Sequence, residues 1–524
     1  MCIGCHACTV ACKSEFDVPL GVNRTHVKYI EKGEFPHNTR EFSVHRCNHC
    51  ADAPCVEICP TTALHTRADG IVDFDNDRCI GCKSCMQACP YDALYIDPET
   101  NTAAKCNYCA HRIDGGYEPA CVVVCPVEAI ISGDLDDTNS KIAQLVANED
   151  TMTRKPEKST VPNLYYINGT NEMLDPNATK RDGDYVWSEQ ATGVGHYAKY
   201  ADQRVAESDT QNLLIQLAME SSARTGKPID KRAIDNVAQE IQQVDTQEAR
   251  RVYDSPSKGV LWGWEVPAYV WTKAIATGTF LMMAVWHYFN GGLDASSEMA
   301  GLIITLIFMG LTGALLIKDI DRPDRFLYVL LRPQWKSWLV RGAYIITGFG
   351  GLVSLKLLDN YFKLGFDWLW IPGVIFAGLG AIYTAFLFNQ ARARDLWQTP
   401  IQSAIHMLVH AVMAGSVVMM IITPDSSQWM VNILFWGIVA NMIIIAKEIL
   451  LPHDTPDTKK AIELMTKGYY SKYFWVGIVV GSLLPIAILN TVPGLSIIAG
   501  GLALVGIYLT EFVRIRVPQM IPLS

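Results

Sequence analysis

Sixteen cysteines, all between Cys2 and Cys125, are the residues of this 524-residue chain whose types and spacing most plainly do chemistry. They form four groups of four: Cys2, Cys5, Cys8, Cys12; Cys47, Cys50, Cys55, Cys59; Cys79, Cys82, Cys85, Cys89; and Cys106, Cys109, Cys121, Cys125. Groups one and three are C-x2-C-x2-C-x3-C runs. In that spacing three thiolates on a tight loop hold one face of an iron–sulfur cube, and the fourth cysteine ligates the other cluster of a pair. Groups two and four are looser variants, and Pro60, Pro90 and Pro126 follow the last cysteines of groups two to four. Cys2-Ile3-Gly4-Cys5 recurs as Cys79-Ile80-Gly81-Cys82, so the unit reads as duplicated. Two dicluster units make four 4Fe–4S clusters, a set suited to moving single electrons along a line. Structural zinc also uses C-x2-C pairs, but the repeated x2-x2-x3 spacing argues for iron. A disulfide scaffold would be small and secreted and would lack that spacing.

The second group of candidates lies in apolar sequence. Half of all residues are hydrophobic, and from Val266 onward eight apolar blocks follow. Their expected spans are 266–289, 297–317, 338–358, 368–388, 401–422, 428–450, 472–490 and 494–513. About 20 residues suffice to cross a bilayer core as a helix. Trp262, Trp264, Trp335, Trp338, Trp368, Trp370, Trp429 and Tyr473 lie near the ends, as an interfacial belt does. Ionisable residues inside such helices are costly and mark function. Glu265, Tyr269 and Lys273 recur every fourth residue along one side of the first span. Asp319, Asp321, Arg322 and Arg325 crowd the next loop, Tyr383 precedes Asn389, Arg392 and Arg394, and His406 and His410 share a helix face. Polar donors in an apolar cleft, with a route for protons, suit a quinone head group. Lys273 can also be read as snorkelling to the rim.

The elements that must position these residues follow from composition. Net charge is −9, and residues 1–140, with 11 basic and 20 acidic side chains, carry all of it. No basic domain stands out, so no nucleic-acid partner is expected. Residues 138–260 hold no cysteine and are mostly polar. Residues 150–185 read as a loop, 206–224 as a helix, and a second helix starts near Asp230 with Ile234, Val237, Ile241 and Val244 at helical spacing. The expected domains are an iron–sulfur domain (1–140), a polar extension with helices (141–260) and a membrane domain (261–524). The fold class is an α+β ferredoxin-like dicluster repeat followed by an all-α eight-helix transmembrane bundle. Loops expected on the cysteine side hold 12 Lys and Arg, while the opposite loops hold only Lys363. By the positive-inside rule the cysteine domain is cytoplasmic, in a multi-pass protein of a bacterial or archaeal cell membrane.

Residues 1–140 resemble the iron–sulfur subunits of the molybdopterin oxidoreductase superfamily, such as dimethyl sulfoxide and polysulfide reductases. The resemblance implies four cluster sets: Cys2, Cys5, Cys8 with Cys125; Cys106, Cys109, Cys121 with Cys12; Cys79, Cys82, Cys85 with Cys59; and Cys47, Cys50, Cys55 with Cys89. Relatives have a short strand before the first cysteine, where this sequence has Met1, so a longer start is expected. Residues 260–520 resemble the polysulfide reductase (NrfD) membrane subunits through Trp262-Gly263-Trp264-Glu265-Val266-Pro267-Ala268-Tyr269, Asp321-Arg322-Pro323-Asp324-Arg325-Phe326, and Tyr383 with Arg394-Asp395-Leu396-Trp397. That family implies menaquinone or ubiquinone as exchangeable substrate, no haem, and a rim site facing the clusters. By matching, Tyr269 and Tyr383 touch the quinone and Asp321 lies on the proton route, with Glu265 beside them. Both resemblances imply a membrane-anchored subunit relaying electrons between the quinone pool and a separate molybdenum- or tungsten-pterin subunit. Other readings are a redox-driven ion pump using Glu448, Glu511 and Lys447, a haem-b anchor, or a passive anchor. His406 and His410 share one helix face and so cannot clamp one haem from both sides.

Overall fold

A computed structural model describes residues 1–33, 38–181, 249–254, 258–423, 427–453 and 455–524. The helices expected at 206–224 and after Asp230 lie outside the described residues.

The cysteine domain repeats one small unit. Short helices Pro54–Ile58 and Ser84–Ala88 each lead through Cys-Pro into an antiparallel hairpin. The hairpins are Leu64–Thr66 with Val72–Phe74 and Leu94–Ile96 with Ala103–Lys105. Proline after the last cysteine cannot continue a helix, so the chain turns into the strand there. Ile58, Leu64, Val72, Leu94 and Ile96 close the core between the units. Beside them, His26–Lys32 pairs with Thr39–His45 on one edge and with Arg250–Tyr253 on the other, and Lys180–Arg181 completes the sheet. Tyr253 thus lies opposite Tyr29. The polar extension is therefore more than a loop: Lys180–Arg181 and Arg250–Tyr253 within it are strands of the cysteine domain's sheet. Strands this short carry no readable period.

Among the described residues, eight long apolar helices follow: Glu265–Asn290, Ala295–Lys318, Trp338–Phe362, Asp367–Gln390, Pro400–Ile422, Gln428–Leu450, Ser471–Thr491 and Ser496–Met520. The chain is a multi-pass membrane protein. The seventh span contains a π-helical turn, Val479–Leu483, just before Pro485. Proline has no N–H to return to the preceding turn, and the looser turn absorbs the defect. The first span is central and almost wholly buried. Ile303, Ile307 and Leu311 on the second span and Ile371, Ile375 and Leu379 on the fourth form outward apolar stripes. Gly278 and Gly415 let the first and fifth spans touch backbone to backbone, since a Cβ on either would overlap the other helix. Gly278→Ala must push these helices apart, and overpacking costs about 1–3 kcal/mol. Thermal melting in detergent should fall accordingly, and an unchanged melting point would refute the close crossing.

The loops on the cysteine side grip that domain. Asp321 N–H donates to Gly81 O at 3.3 Å, Arg325 to Asn76 O at 2.6 Å and Cys79 O at 3.1 Å, and Arg392 pairs with Asp52 at 2.8 Å. Buried Arg394 donates to Gln87 Oε1 at 2.9 Å and to the Pro518 and Ile521 carbonyls, both at 3.0 Å. Lys158 pairs with Asp395, and Arg154 reaches Leu523 O at 2.8 Å. Arg322, which donates to Thr100 O at 3.2 Å, and Arg325 are thus docking residues for the cysteine domain. Arg394→Ala leaves several buried acceptors unmet, at about 1–3 kcal/mol each. Limited proteolysis should then cut between the two domains before either unfolds.

Candidate redox site

Each cysteine group curls its loop in the same way. The residue before the second cysteine has positive φ in all four: Gly4, His49, Gly81 and Tyr108. A left-handed residue there folds the loop back on itself so that its thiols converge. Gly81 is also closely packed, since a Cβ would lie 2.8 Å from Asn101 O and from Asp321 Cβ.

Across the domain the thiols regroup. Cys125 joins Cys2, Cys5 and Cys8. Cys12 joins Cys106, Cys109 and Cys121. Cys89 joins Cys47, Cys50 and Cys55. Cys59 joins Cys79, Cys82 and Cys85. The sets also neighbour one another in order: Cys85 feels Cys55, Cys47 feels Cys106, and Cys8 feels Cys121. They form a line.

The donor sets fit 4Fe–4S clusters. All sixteen thiols are free of disulfides. Cys59, Cys79, Cys82 and Cys85 line one cavity, walled by Leu64, Phe74 and Ile80. Burial, then the neighbouring Cys106 thiolate, pushes the Cys12 thiol up to about 12. Burial likewise pushes Cys50 up to about 12, with Cys89 and Cys47 adding to it. Such crowded thiols ionise only around a cation, and iron supplies that charge. N–H donors already aim at sulfur: Ala103 and Gly81 at Cys79 (3.3 and 3.4 Å), Ala129 at Cys125 (3.2 Å) and Arg46 at Cys121 (3.0 Å). Donors of this kind tune cluster potentials.

The two ends of the line differ. At one end Cys5 is exposed, and Ile3, Val10, Val123, Val124 and Val127 expose apolar surface around it. Val10 and Val123 belong to helices Ala7–Glu15 and Ala120–Val123, which pack together. At the other end Trp262 Nε1 donates to Cys82 O at 3.3 Å and the ring stacks on Trp397, centroids 5.5 Å apart. Lys83 donates to Asp319 O at 2.7 Å and lies 3.4 Å from Asp321 Oδ1.

Beyond Trp262, and in the same buried cluster as Tyr269, lies a group of buried polar side chains. Tyr269 and Tyr383 are both 3% exposed and lie within electrostatic reach of each other. Lys273, 1% exposed, sits 4.4 Å over the Tyr383 ring and donates to Thr384 Oγ1 at 2.5 Å and Ala381 O at 3.2 Å. Snorkelling is therefore excluded: the amine points into the bundle, because the first span is surrounded by others. Glu265 stays at the rim, 3.6 Å from Lys318. Asp321 pairs with Lys83 at the domain interface, and Asp319 is the loop carboxylate within reach of Tyr269. Lys273, at the fourth residue after Tyr269 in an apolar run, carries a sequence signal, whereas Thr384, Lys83 and the Trp262 contact with Cys82 carry none.

Four thiol sets docked on eight apolar spans define a membrane-embedded iron–sulfur protein. Residues 254–522, just over half of the sequence, match the family model described as polysulphide reductase, NrfD. Residues 39–135 match a 4Fe-4S dicluster domain. This protein belongs to the NrfD polysulphide reductase family, with the dicluster domain fused ahead of it. Among similar proteins, a polysulfide reductase chain of Wolinella succinogenes is 43% identical over 170 residues, 32% of this chain and 89% of that protein. A tetrathionate reductase subunit of Salmonella typhimurium is 42% identical over 179 residues, 33% of this chain and 72% of that protein. Protein NrfC of Escherichia coli is 44% identical over 170 residues, 32% of this chain and 76% of that protein.

Proposed function

We propose that this chain relays electrons between a membrane quinone and a separate catalytic subunit, through four 4Fe–4S clusters held by the four thiol sets. One observation carries the reading. The line of sets runs from an exposed apolar face to Trp262, which shares one buried cluster with Tyr269, the neighbour of Tyr383 and Lys273. When bound, the clusters supply one-electron redox chemistry. The chain's own residues do the rest. The tyrosine hydroxyls orient the quinone head, with menaquinone and ubiquinone both allowed. Lys273 exchanges protons with it, since quinol oxidation releases two protons with two electrons. Glu265 at the rim, and Asp321 on the loop facing the cysteine domain, are further acid–base groups on the proton route. The packed first, fourth and fifth spans exclude bulk water. The exposed face around Cys5 suits a large partner, and the relatives' names, which place them in polysulfide and tetrathionate reductases, support a catalytic one. We assign that partner a molybdenum or tungsten pterin, and the cluster domain to the cytoplasmic side on loop charge. Haem has no part in this reading: His406 and His410 are 4.2 Å apart on one helix and bonded to Asn441.

The native complex tests it. Co-purification of a large partner containing molybdenum or tungsten is expected. Iron alone, near sixteen atoms per chain, would move the electron partner to another class. A second test is local. Gly342 packs on the Tyr383 ring, and a Cβ there would run into it. Gly342→Ala should raise the KM for quinol several-fold with cluster content unchanged. An unaltered KM would remove Tyr383 from the site.

A further inference from the structure

Apart from the group around Lys273, the membrane domain buries a second charged cluster, at the contact of the fifth, sixth and eighth spans. Its members are His406, His410, Asn441, Glu448, Glu511 and Arg514, and hydrogen-bond chemistry fixes where its protons are. Arg514 Nη1 lies 2.5 Å from His406 Nδ1. Arginine only donates, so Nδ1 is bare and the His406 proton sits on Nε2. That Nε2 lies 2.7 Å from Asn441 Oδ1, which must accept, so the amide orientation follows. His410 Nε2, 2.9 Å from the same oxygen, must also carry a proton. His410 Nδ1 then faces Glu511 Oε1 at 3.4 Å. Two bare acceptors would repel there, so one proton lies between them, on the imidazole or on the carboxyl.

Charge agrees. Arg514 is 3.1 Å from Glu448 and 3.2 Å from Glu511. With the proton on His410, two cations face two anions; with it on Glu511, one faces one. Both are neutral. Without it the buried cluster carries a net negative charge, which low-dielectric surroundings penalise. Glu511 also lies within electrostatic reach of Lys273 and Tyr269. Protonation of Lys273 adds positive charge nearby and favours release of the shared proton. On its other side Glu448 lines a cavity of about 490 Å³ with Glu157, Lys158, Gln402, Lys447 and His453, at the cluster-side rim.

We propose that His410 and Glu511 hold one mobile proton and form the inner station of a proton path. The path runs from Lys273 past Arg514 to Glu448 and the cluster-side cavity. A proton taken up at Lys273 from quinol leaves by this path, one entering as one exits, and no electron moves along it. The direction of flow rests on the quinone reading above. The ligand atoms of His406, His410 and Glu511 also lie within 4.8 Å of one another, close enough for a metal ion. Arg514, bonded to both His406 and Glu511, occupies those lone pairs instead.

Glu511→Gln keeps the shape but cannot pass a proton on. In the purified full chain with native lipid, quinol-driven cluster reduction should slow at least ten-fold, within the range for lost acid–base catalysis. The KM for quinol and reduction by dithionite should hold, and the pH dependence of the rate should flatten. Glu448→Gln should act alike, and Glu511→Asp should recover part of the rate. Unchanged rates and pH profiles in both Gln variants would overturn the path. ¹⁵N-histidine spectra read the proton without quinone: one Nδ1 should show partial protonation that Glu511→Gln abolishes. Identical spectra would overturn the shared proton, as would stoichiometric zinc binding lost in His406→Gln. If no quinol reduces wild-type clusters while the spectra change as expected, the quinone reading fails and the shared proton stands.

Discussion

Lys273→Met should slow quinol-driven cluster reduction by about 10²-fold or more, while leaving the fold intact or firmer. The loss follows from chemistry: the amine is the buried basic group against the Tyr383 ring, and positioned acid–base groups contribute about 10²–10⁴-fold. The stability follows from desolvation. A buried amine is expensive, and methionine keeps its length and apolar body. Its partners suffer little, because Thr384 can turn its hydroxyl to its own helix and Ala381 O belongs to a helical turn. Activity and melting temperature should therefore move in opposite directions, as expected where function is stored as strain. Stopped-flow reduction by a soluble quinol and a thermal melt read both. A full rate in Lys273→Met would take the proton-handling role away from this residue, and a lower melting point with slow reduction would make it structural.

The second large effect separates two cysteines only four residues apart. Cys55 and Cys59 share one sequence group but face different sets, Cys55 with Cys89 and Cys59 with Cys85. Cys59→Ala should remove the cluster beside Trp262, lowering iron from about sixteen to about twelve atoms per chain. Quinol should then reduce nothing, although dithionite still reduces the other three clusters. Cys55→Ala should remove the next cluster in line, and quinol should still reduce the one next to the membrane. Redox titration followed by electron paramagnetic resonance distinguishes these. If both variants lost the same cluster, the grouping of thiols would be wrong. Metal binding contributes folding energy, so either variant should also melt lower.

Local chemistry made much of this legible. Three cysteines on a tight loop imply an iron–sulfur site wherever the loop lies, and twenty apolar residues imply a span whatever surrounds them. The expected first span, 266–289, lies within Glu265–Asn290, and the expected fifth, 401–422, within Pro400–Ile422. The His406–His410 face follows from helical spacing alone. What escaped depends on contacts distant in sequence. The Arg250–Tyr253 strand finds its place only beside His26–Lys32, more than 200 residues earlier. Asp321 has Lys83, 238 residues earlier, as its partner, a pairing no local spacing predicts. Helical spacing allows Lys273 to snorkel and offers Glu511 to an ion path, without saying what surrounds either. A repeat of four says which helix face a residue occupies, not what covers that face. Packing decided it: the Gly278–Gly415 crossing and the fourth and eighth spans close around the first. They turn two charges at ordinary helical positions into buried, partnered groups able to handle protons.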